Sequence, residues 1–448
     1  MERVDVIVIG SGQGGVPFAV DRAKRGERVV LFDRGRLGGS CVNYGCTPSK
    51  AFLAAAHTAA RARHGEALGV RGDVSVDFGA TMDRVRAIRD EFMNGVEKRV
   101  ASAGIRVVRA EASFSGERIV TAGGERFEAP LILIDTGTSP LVPLVPGLAG
   151  TPYMTNLDFF DQRALPKRLL VMGGGYIGLE LGQGMARCGT EVHVVDSNAR
   201  VLAREEPDAS EALAQGLLAD GMSLHLGRQA VAIRYDGAFE MELDDGSTLQ
   251  ADALLVAVGR RPNTEALASQ KSGIALDKRS NIGIDARFAT SCSGVYAIGD
   301  VAGQPAFTHV SWEDHRRLED ILAGGIRTRD DRVLAYSTYT EPQVARVGMT
   351  ADEARKTGRD VRAVTLPIGD VARAVEWGQS VGFFRLVVDK QSEKILGATM
   401  VGYETAELIH VILAHMEAGS TWRVLERSVH VHPTYAEGLP SLARLLLN

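Results

Sequence analysis

The sequence predicts an α/β protein with two Rossmann-like dinucleotide-binding units, and three observations carry that expectation. A β-branched run that leads into a glycine-rich turn and then a helical stretch occurs twice, first from Val6 and again from Leu169. The strand after each turn and helix ends in an acid, from Gly10 to Asp33 and from Gly173 to Asp196, 23 residues in each case. The 448 residues also exceed what one hydrophobic core organises, so two or three domains follow. An apolar fraction of 45%, a charged fraction of 24% and 50 glycines suit a soluble α/β chain with many tight turns.

Val6-Ile7-Val8-Ile9 is the first strand, and Gly10-Ser11-Gly12-Gln13-Gly14-Gly15 opens a helix through Ala19, Val20 and Ala23. Gly10 permits the tight turn, Gly12 lets the backbone approach a pyrophosphate, and Gly15 lets helix and strand pack closely, with the phosphate on the helix N-terminus. Val29-Val30-Leu31-Phe32 then ends in Asp33, whose carboxylate suits a ribose hydroxyl pair. In the second copy Leu169-Leu170-Val171-Met172 leads into Gly173, Gly175 and Gly178, and Val192-His193-Val194-Val195 ends in Asp196. One such fingerprint arises readily from packing alone, whereas two with equal acid spacing point to two dinucleotide sites.

Cys41 and Cys46 lie between the fingerprints, in the run from Gly38 to Lys50. A glycine pair leads in and a helix-start signal follows directly, which reads as a redox disulfide. Thr47 is the expected N-cap and Pro48 the first helical residue, so Cys46 falls at the positive end of the helix dipole, where a thiolate is stabilised. An undistorted helix would hold the two alpha carbons farther apart than the ~4.4–6.8 Å a disulfide tolerates, so the stretch must be irregular, with Gly45 supplying the freedom. The spacing is not that of a zinc site and no second Cys or His pair follows nearby, so no metal is expected. Cys188 and Cys292 read as ordinary buried thiols. Two dinucleotide sites with a redox pair between them imply electrons passing from a nicotinamide nucleotide through a flavin to sulfur.

A net charge of −5 offers no basic face for nucleic acid. The apolar start, Val4 to Ile9, is interrupted by Asp5 and too short for a signal peptide or a membrane span, so a cytoplasmic location is the expectation.

With these features the chain resembles the class I pyridine nucleotide-disulfide oxidoreductases, FAD enzymes that include dihydrolipoamide dehydrogenase, glutathione reductase and mercuric reductase. Further matching pieces are Thr136-Gly137 after Leu131-Ile132-Leu133-Ile134, Val258-Gly259-Arg260-Arg261-Pro262-Asn263 after Ala253-Leu254-Leu255-Val256, and Val295-Tyr296-Ala297-Ile298-Gly299-Asp300. The resemblance implies that the first fingerprint binds FAD, that Asp300 holds its ribityl chain, and that the second binds NAD(P)H, with Asp196 favouring NADH. It implies that Lys50 and Glu180 pair beside the flavin ring, although each read alone would be a solvated surface residue. Cys46 becomes the charge-transfer thiolate and Cys41 the interchange thiol. His432, in His432-Pro433-Thr434-Tyr435-Ala436-Glu437, becomes the acid/base given to the other subunit's disulfide, oriented by Glu437, with Ala436 standing where the family has Ser. His410 and His415, on an apolar helix from Ala406 to Met416, read as interface histidines.

The implied organisation is an FAD part at 1–150 and 271–331, a nicotinamide part at 151–270, and an α+β dimerisation domain at 332–448, hence a homodimer. The Arg- and Asp-rich run Ile326 to Val333 is the expected linker, its charges simply solvated. The expected reaction is NADH-driven reduction of a small disulfide or lipoyl-type substrate. Cys46-Thr47-Pro48-Ser49-Lys50, Asp135-Thr136-Gly137-Thr138 and Phe307-Thr308-His309-Val310-Ser311-Trp312 resemble instead the mercuric-reductase-like branch, whose members also reduce hypothiocyanous acid or reactive chlorine species. No Cys follows Cys292, so the C-terminal pair of true mercuric reductases is missing and ordinary Hg(II) reduction is not expected. A flavoprotein oxidase or diaphorase, or a non-catalytic FAD-binding scaffold, are the readings of another class.

Overall fold

The computed structural model describes residues 1–447. The first fingerprint folds as strand β1 (Val6–Ile9), helix α1 (Gly15–Lys24) and strand β2 (Val29–Phe32). Helices α2 (Gly39–Tyr44), α3 (Cys46–Arg63) and α4 (Phe78–Ser102) follow, then strands β3 (Arg106–Val108) and β4 (Leu131–Ile134). The second fingerprint gives β5 (Arg168–Met172), α5 (Tyr176–Cys188), β6 (Glu191–Asp196), α6 (Pro207–Ala219), β7 (Ser223–Leu226) and β8 (Ala253–Val256). Beyond it come β9 (Val295–Ala297) and α7 (Thr308–Leu322). The last quarter holds β10 (Ala335–Thr338), β11 (Gln343–Gly348), β12 (Val361–Pro367), β13 (Phe383–Asp389), β14 (Ile395–Gly402) and α8 (Thr405–Glu417).

β1 to β4 and β9 form one parallel sheet in the order β9-β4-β1-β2-β3, and β5 to β8 form another in the order β7-β6-β5-β8. Both faces of each sheet are covered, which is why their strands read as unbroken apolar runs. Successive residues still take opposite sides. Val6 and Val8 pack with Val16 and Phe18 under α1, while Ile7 and Ile9 pack with Phe114 and Phe127. In the second sheet Leu169 and Val171 join Leu179 and Met185 of α5, and Leu170 and Met172 join Phe239 and Met241.

β10 to β14 form an antiparallel sheet in the order β10-β11-β14-β13-β12. Phe384, Leu386 and Val388 of β13 pack with Leu408, Ile409 and Ile412 of α8. The 326–333 run differs from the solvated segment expected of it. Arg327 pairs with Glu313 at 2.5 Å, Arg332 with the fully buried Asp314, and Asp331 with Arg317, so three of its charges are clamped to α7. Among the described residues no helix is long and apolar enough to cross a membrane.

Candidate active site

The two fingerprints close by the same contacts. Gly10 and Gly173 have φ of +105° and +110°, and a Cβ on either would strike the backbone oxygen of Asp135 at 2.2 Å or of Ala257 at 2.4 Å. A Cβ on Gly15 or Gly178 would lie 2.2 Å from the oxygen of Gly10 or Gly173, so the first helical turn sits directly on the strand end. Gly175 is different, because a Cβ there meets no protein atom within 4 Å. Packing does not demand glycine at that position. The two acids also correspond. Asp33 accepts from Ser11 N at 3.0 Å and Gly35 N at 2.8 Å, and Asp196 from Gly174 N at 2.5 Å and Asn198 N at 2.7 Å. Arg200 and Arg204 are exposed.

A cavity of about 960 Å³ runs from Gly12 and Asp33 to Cys41, Cys46, Lys50 and Glu180. Its volume and lining suit a dinucleotide laid across the carboxyl ends of a parallel sheet, where β1 separates β2 from β4. The 136–138, 259–263 and 299–300 motifs meet on its wall. Asn263 donates to Thr136 O at 2.8 Å and its N–H donates to Gly137 O at 3.0 Å. Arg260 donates to Thr138 Oγ1 at 2.6 Å, and Thr138 Oγ1 to Asp300 at 2.7 Å. Burial pushes the Asp300 carboxyl above its ordinary range. Gly299, at φ +65°, donates its N–H to Asp314 at 2.9 Å.

The cysteine pair straddles a break between two helices. α2 stops at Tyr44, Gly45 leaves helical geometry, and α3 begins at Cys46 itself. The helix therefore starts before the expected Thr47 and Pro48, because Gly45 rather than Thr47 turns the chain in. Cys46 is left in the first turn of an 18-residue helix. Its Sγ lies 3.0 Å from Thr308 Oγ1, at the start of α7. The hydrogen bond from Cys41, opposed by burial and aided by Thr308 and the Lys50 charge, lowers the Cys46 pKa to about 6. The same bond and burial raise the Cys41 pKa. One chain thus provides one thiolate and one thiol, not two thiolates.

Lys50 Nζ donates to Glu180 Oε2 at 2.7 Å and stands 4.3 Å from the Tyr339 ring centroid, while Tyr339 N donates to Glu180 Oε1 at 2.9 Å. Burial works against the Lys50 charge, but the Glu180 carboxylate outweighs it and the Lys50 pKa is raised. His432 and Glu437 are not part of this cavity. They form their own pair, His432 Nδ1 to Glu437 Oε2 at 2.7 Å, with the imidazole 73% exposed.

Two family models divide this architecture between them, one described as pyridine nucleotide-disulphide oxidoreductase over residues 4–314 and the other as its dimerisation domain over 334–443. The chain belongs to this family. It is 34% identical to a dihydrolipoyl dehydrogenase of Thermus scotoductus, covering 100% of this chain and 98% of the relative. It is 31% identical to a mercuric reductase of Staphylococcus aureus, covering 97% and 81%. The solved structure of a Cu(II) complex of the HOCl-induced flavoprotein disulfide reductase RclA from Escherichia coli matches with a TM-score of 0.91 at 30% identity, covering all of both chains. Family members use FAD and NAD(P)H, and this chain is an FAD-dependent NAD(P)H:disulfide oxidoreductase.

Three contacts at the family site escaped the sequence reading. Thr308 had figured only in a stretch that marks a branch, although as the first residue of a helix beside the Cys46 thiol it is a natural donor. Tyr339, which covers Lys50, carries no local signal. Asp135, named in the sequence only within another such stretch, follows the end of β4 on the cavity wall, where its carboxylate accepts from Gly15 N at 2.7 Å and Gly14 N at 3.2 Å.

Proposed function

We propose that this chain is a cytoplasmic homodimer that uses NADH to reduce a small disulfide or lipoyl-type substrate through Cys41 and Cys46. The observation that carries the proposal is the opposite charge preference of the two sulfurs beside Lys50 and Glu180. Cys46 is held as a thiolate facing the cavity, and Cys41 is held as a thiol that needs a base. Bound FAD supplies hydride acceptance and electron transfer to sulfur. The protein residues do the rest. Lys50 and Glu180 fix the charge at the cavity floor. Cys41, once deprotonated, attacks the substrate disulfide and releases one thiol; Cys46 then attacks Cys41, releasing the second and re-forming the Cys41–Cys46 bond. His432 of a second copy is the acid/base, since no imidazole of the same chain is hydrogen-bonded to Cys41 among the described residues. Overall NADH, a proton and one disulfide yield NAD⁺ and two thiols.

Anaerobic titration with NADH tests this reading. Uptake of two electron pairs with a long-wavelength absorption band is expected, whereas a flavoprotein oxidase or diaphorase would take one pair and a scaffold would reduce poorly. Turnover of lipoamide and low-molecular-weight disulfides above Hg(II) and hypothiocyanous acid is expected in an acceptor panel. The reverse order would assign the chain to the mercuric-reductase-like branch.

Nucleotide preference rests on Asp196. A carboxylate at this strand end accepts from a free ribose 2′-hydroxyl and repels a 2′-phosphate. kcat/KM is expected to be higher for NADH, and Asp196→Ala to narrow the gap. A higher value for NADPH would shift the role to Arg200 and Arg204.

A further inference from the structure

Asp135 is placed where the fold does not require an acid. The contacts of Gly10 and Gly173 make Asp135 and Ala257 equivalent positions at the ends of β4 and β8, so the second copy of the same turn closes around an alanine. The carboxylate is 6% exposed and borders the cavity. Its Oδ2 takes the N–H groups of Gly14 and Gly15 at the mouth of α1, and its Oδ1 accepts from Ser311 Oγ at 3.1 Å. Those two N–H groups belong to the helix end that a dinucleotide-binding turn aims at a pyrophosphate. An internal anion thus competes with the ligand anion for the same donors.

We propose that Asp135 is a positioning residue for the dinucleotide that must be neutral for tight binding, so that FAD enters the cavity with uptake of a proton at this carboxylate. The inference rests on the reading of this cavity as the FAD site. Among the described residues no cation pairs with Asp135. Asp300, on the turn after β9, adds negative charge; Asp314 of α7 is committed to Arg332 and Gly299 N; Asp33 is committed to Ser11 and Gly35; His309, in the first turn of α7, bonds to Ala335 O. Burial pushes the Asp135 pKa to about 7, against the lowering by Gly15 N and Ser311 and with further raising by Asp300. The acid is therefore neutral below that pH and charged above it, where it repels a pyrophosphate. FAD affinity is expected to fall as the pH rises.

The dissociation constant of FAD from the full-length protein, measured by flavin fluorescence between about pH 6 and 9, should rise by nearly tenfold per pH unit on the alkaline side. Asp135→Asn keeps an acceptor for the glycine N–H groups and should give a flat profile, and Asp135→Ala, the residue of the second copy, should do the same. Calorimetry of the wild-type protein in buffers of different ionisation heat should detect proton uptake near neutrality, a result that does not depend on either variant folding. A flat wild-type profile without proton uptake, or an unchanged slope in Asp135→Asn, would overturn the inference. Absence of FAD binding at every pH would instead remove the cofactor assignment together with it.

Discussion

Cys46 differs from Cys41 because of what surrounds each sulfur, not because of any difference in type. The Cys41 hydrogen bond, the Thr308 hydroxyl and the Lys50 charge all favour the Cys46 anion, against burial and the Glu180 carboxylate. Since the pKa is lowered, the thiolate is present above about pH 6 and lost below it. A hydrogen bond to a charged group contributes about 1.5–3 kcal/mol, so removing the one from Thr308 should raise the Cys46 pKa by about one unit or more. Thr308→Val in the reduced protein is expected to shift the pH profile of thiolate absorbance and alkylation upward by that amount. An unchanged profile would mean that the 3.0 Å contact is incidental. Thr308 was illegible in the sequence for a physical reason. Its partner lies 262 positions away, and nothing local marks a hydroxyl that meets a distant sulfur.

Helices and strands were legible where their cause is local. The glycine turns, the acid-ended strands and the break at Gly45 each follow from a few adjacent residues. The capping signal of Thr47 and Pro48 places the start of α3 two residues late, because Gly45 pre-empts it. The linker was misread for the opposite reason, since its charges find partners on a helix that precedes it. Asp314 joins the two, because it holds Gly299 N at the cavity wall and Arg332 in the linker while fully buried. Removing one member of a buried ion pair costs about 3–5 kcal/mol, because the other is left uncompensated. Asp314→Asn retains an acceptor for Gly299 but strands Arg332, and a loss of about 3 kcal/mol in denaturant unfolding is expected. A loss below about 0.5 kcal/mol would show that Arg332 turns to solvent.

On the proposed reading, the whole molecule carries its chemistry in two separated parts. The sulfurs, Lys50 and Glu180 line one cavity, whereas the His432–Glu437 pair sits exposed on the family's dimerisation domain. A two-fold dimer is the arrangement that gives each cavity an imidazole from the other copy, and it gives two such sites at once. Cys41→Ser and His432→Ala should each remove disulfide turnover, His432→Ala by about 10²–10⁴-fold, while NADH still reduces the flavin. Mixed and reassembled, the two inactive variants should regain activity. In each heterodimer one site inherits both lesions and the other inherits intact Cys41, Cys46 and His432. With random pairing, half of the dimers carry one sound site of two, so the mixture should recover about a quarter of wild-type turnover. If Cys41 and His432 act within one chain, every site retains a lesion and the mixture stays as inactive as its parts.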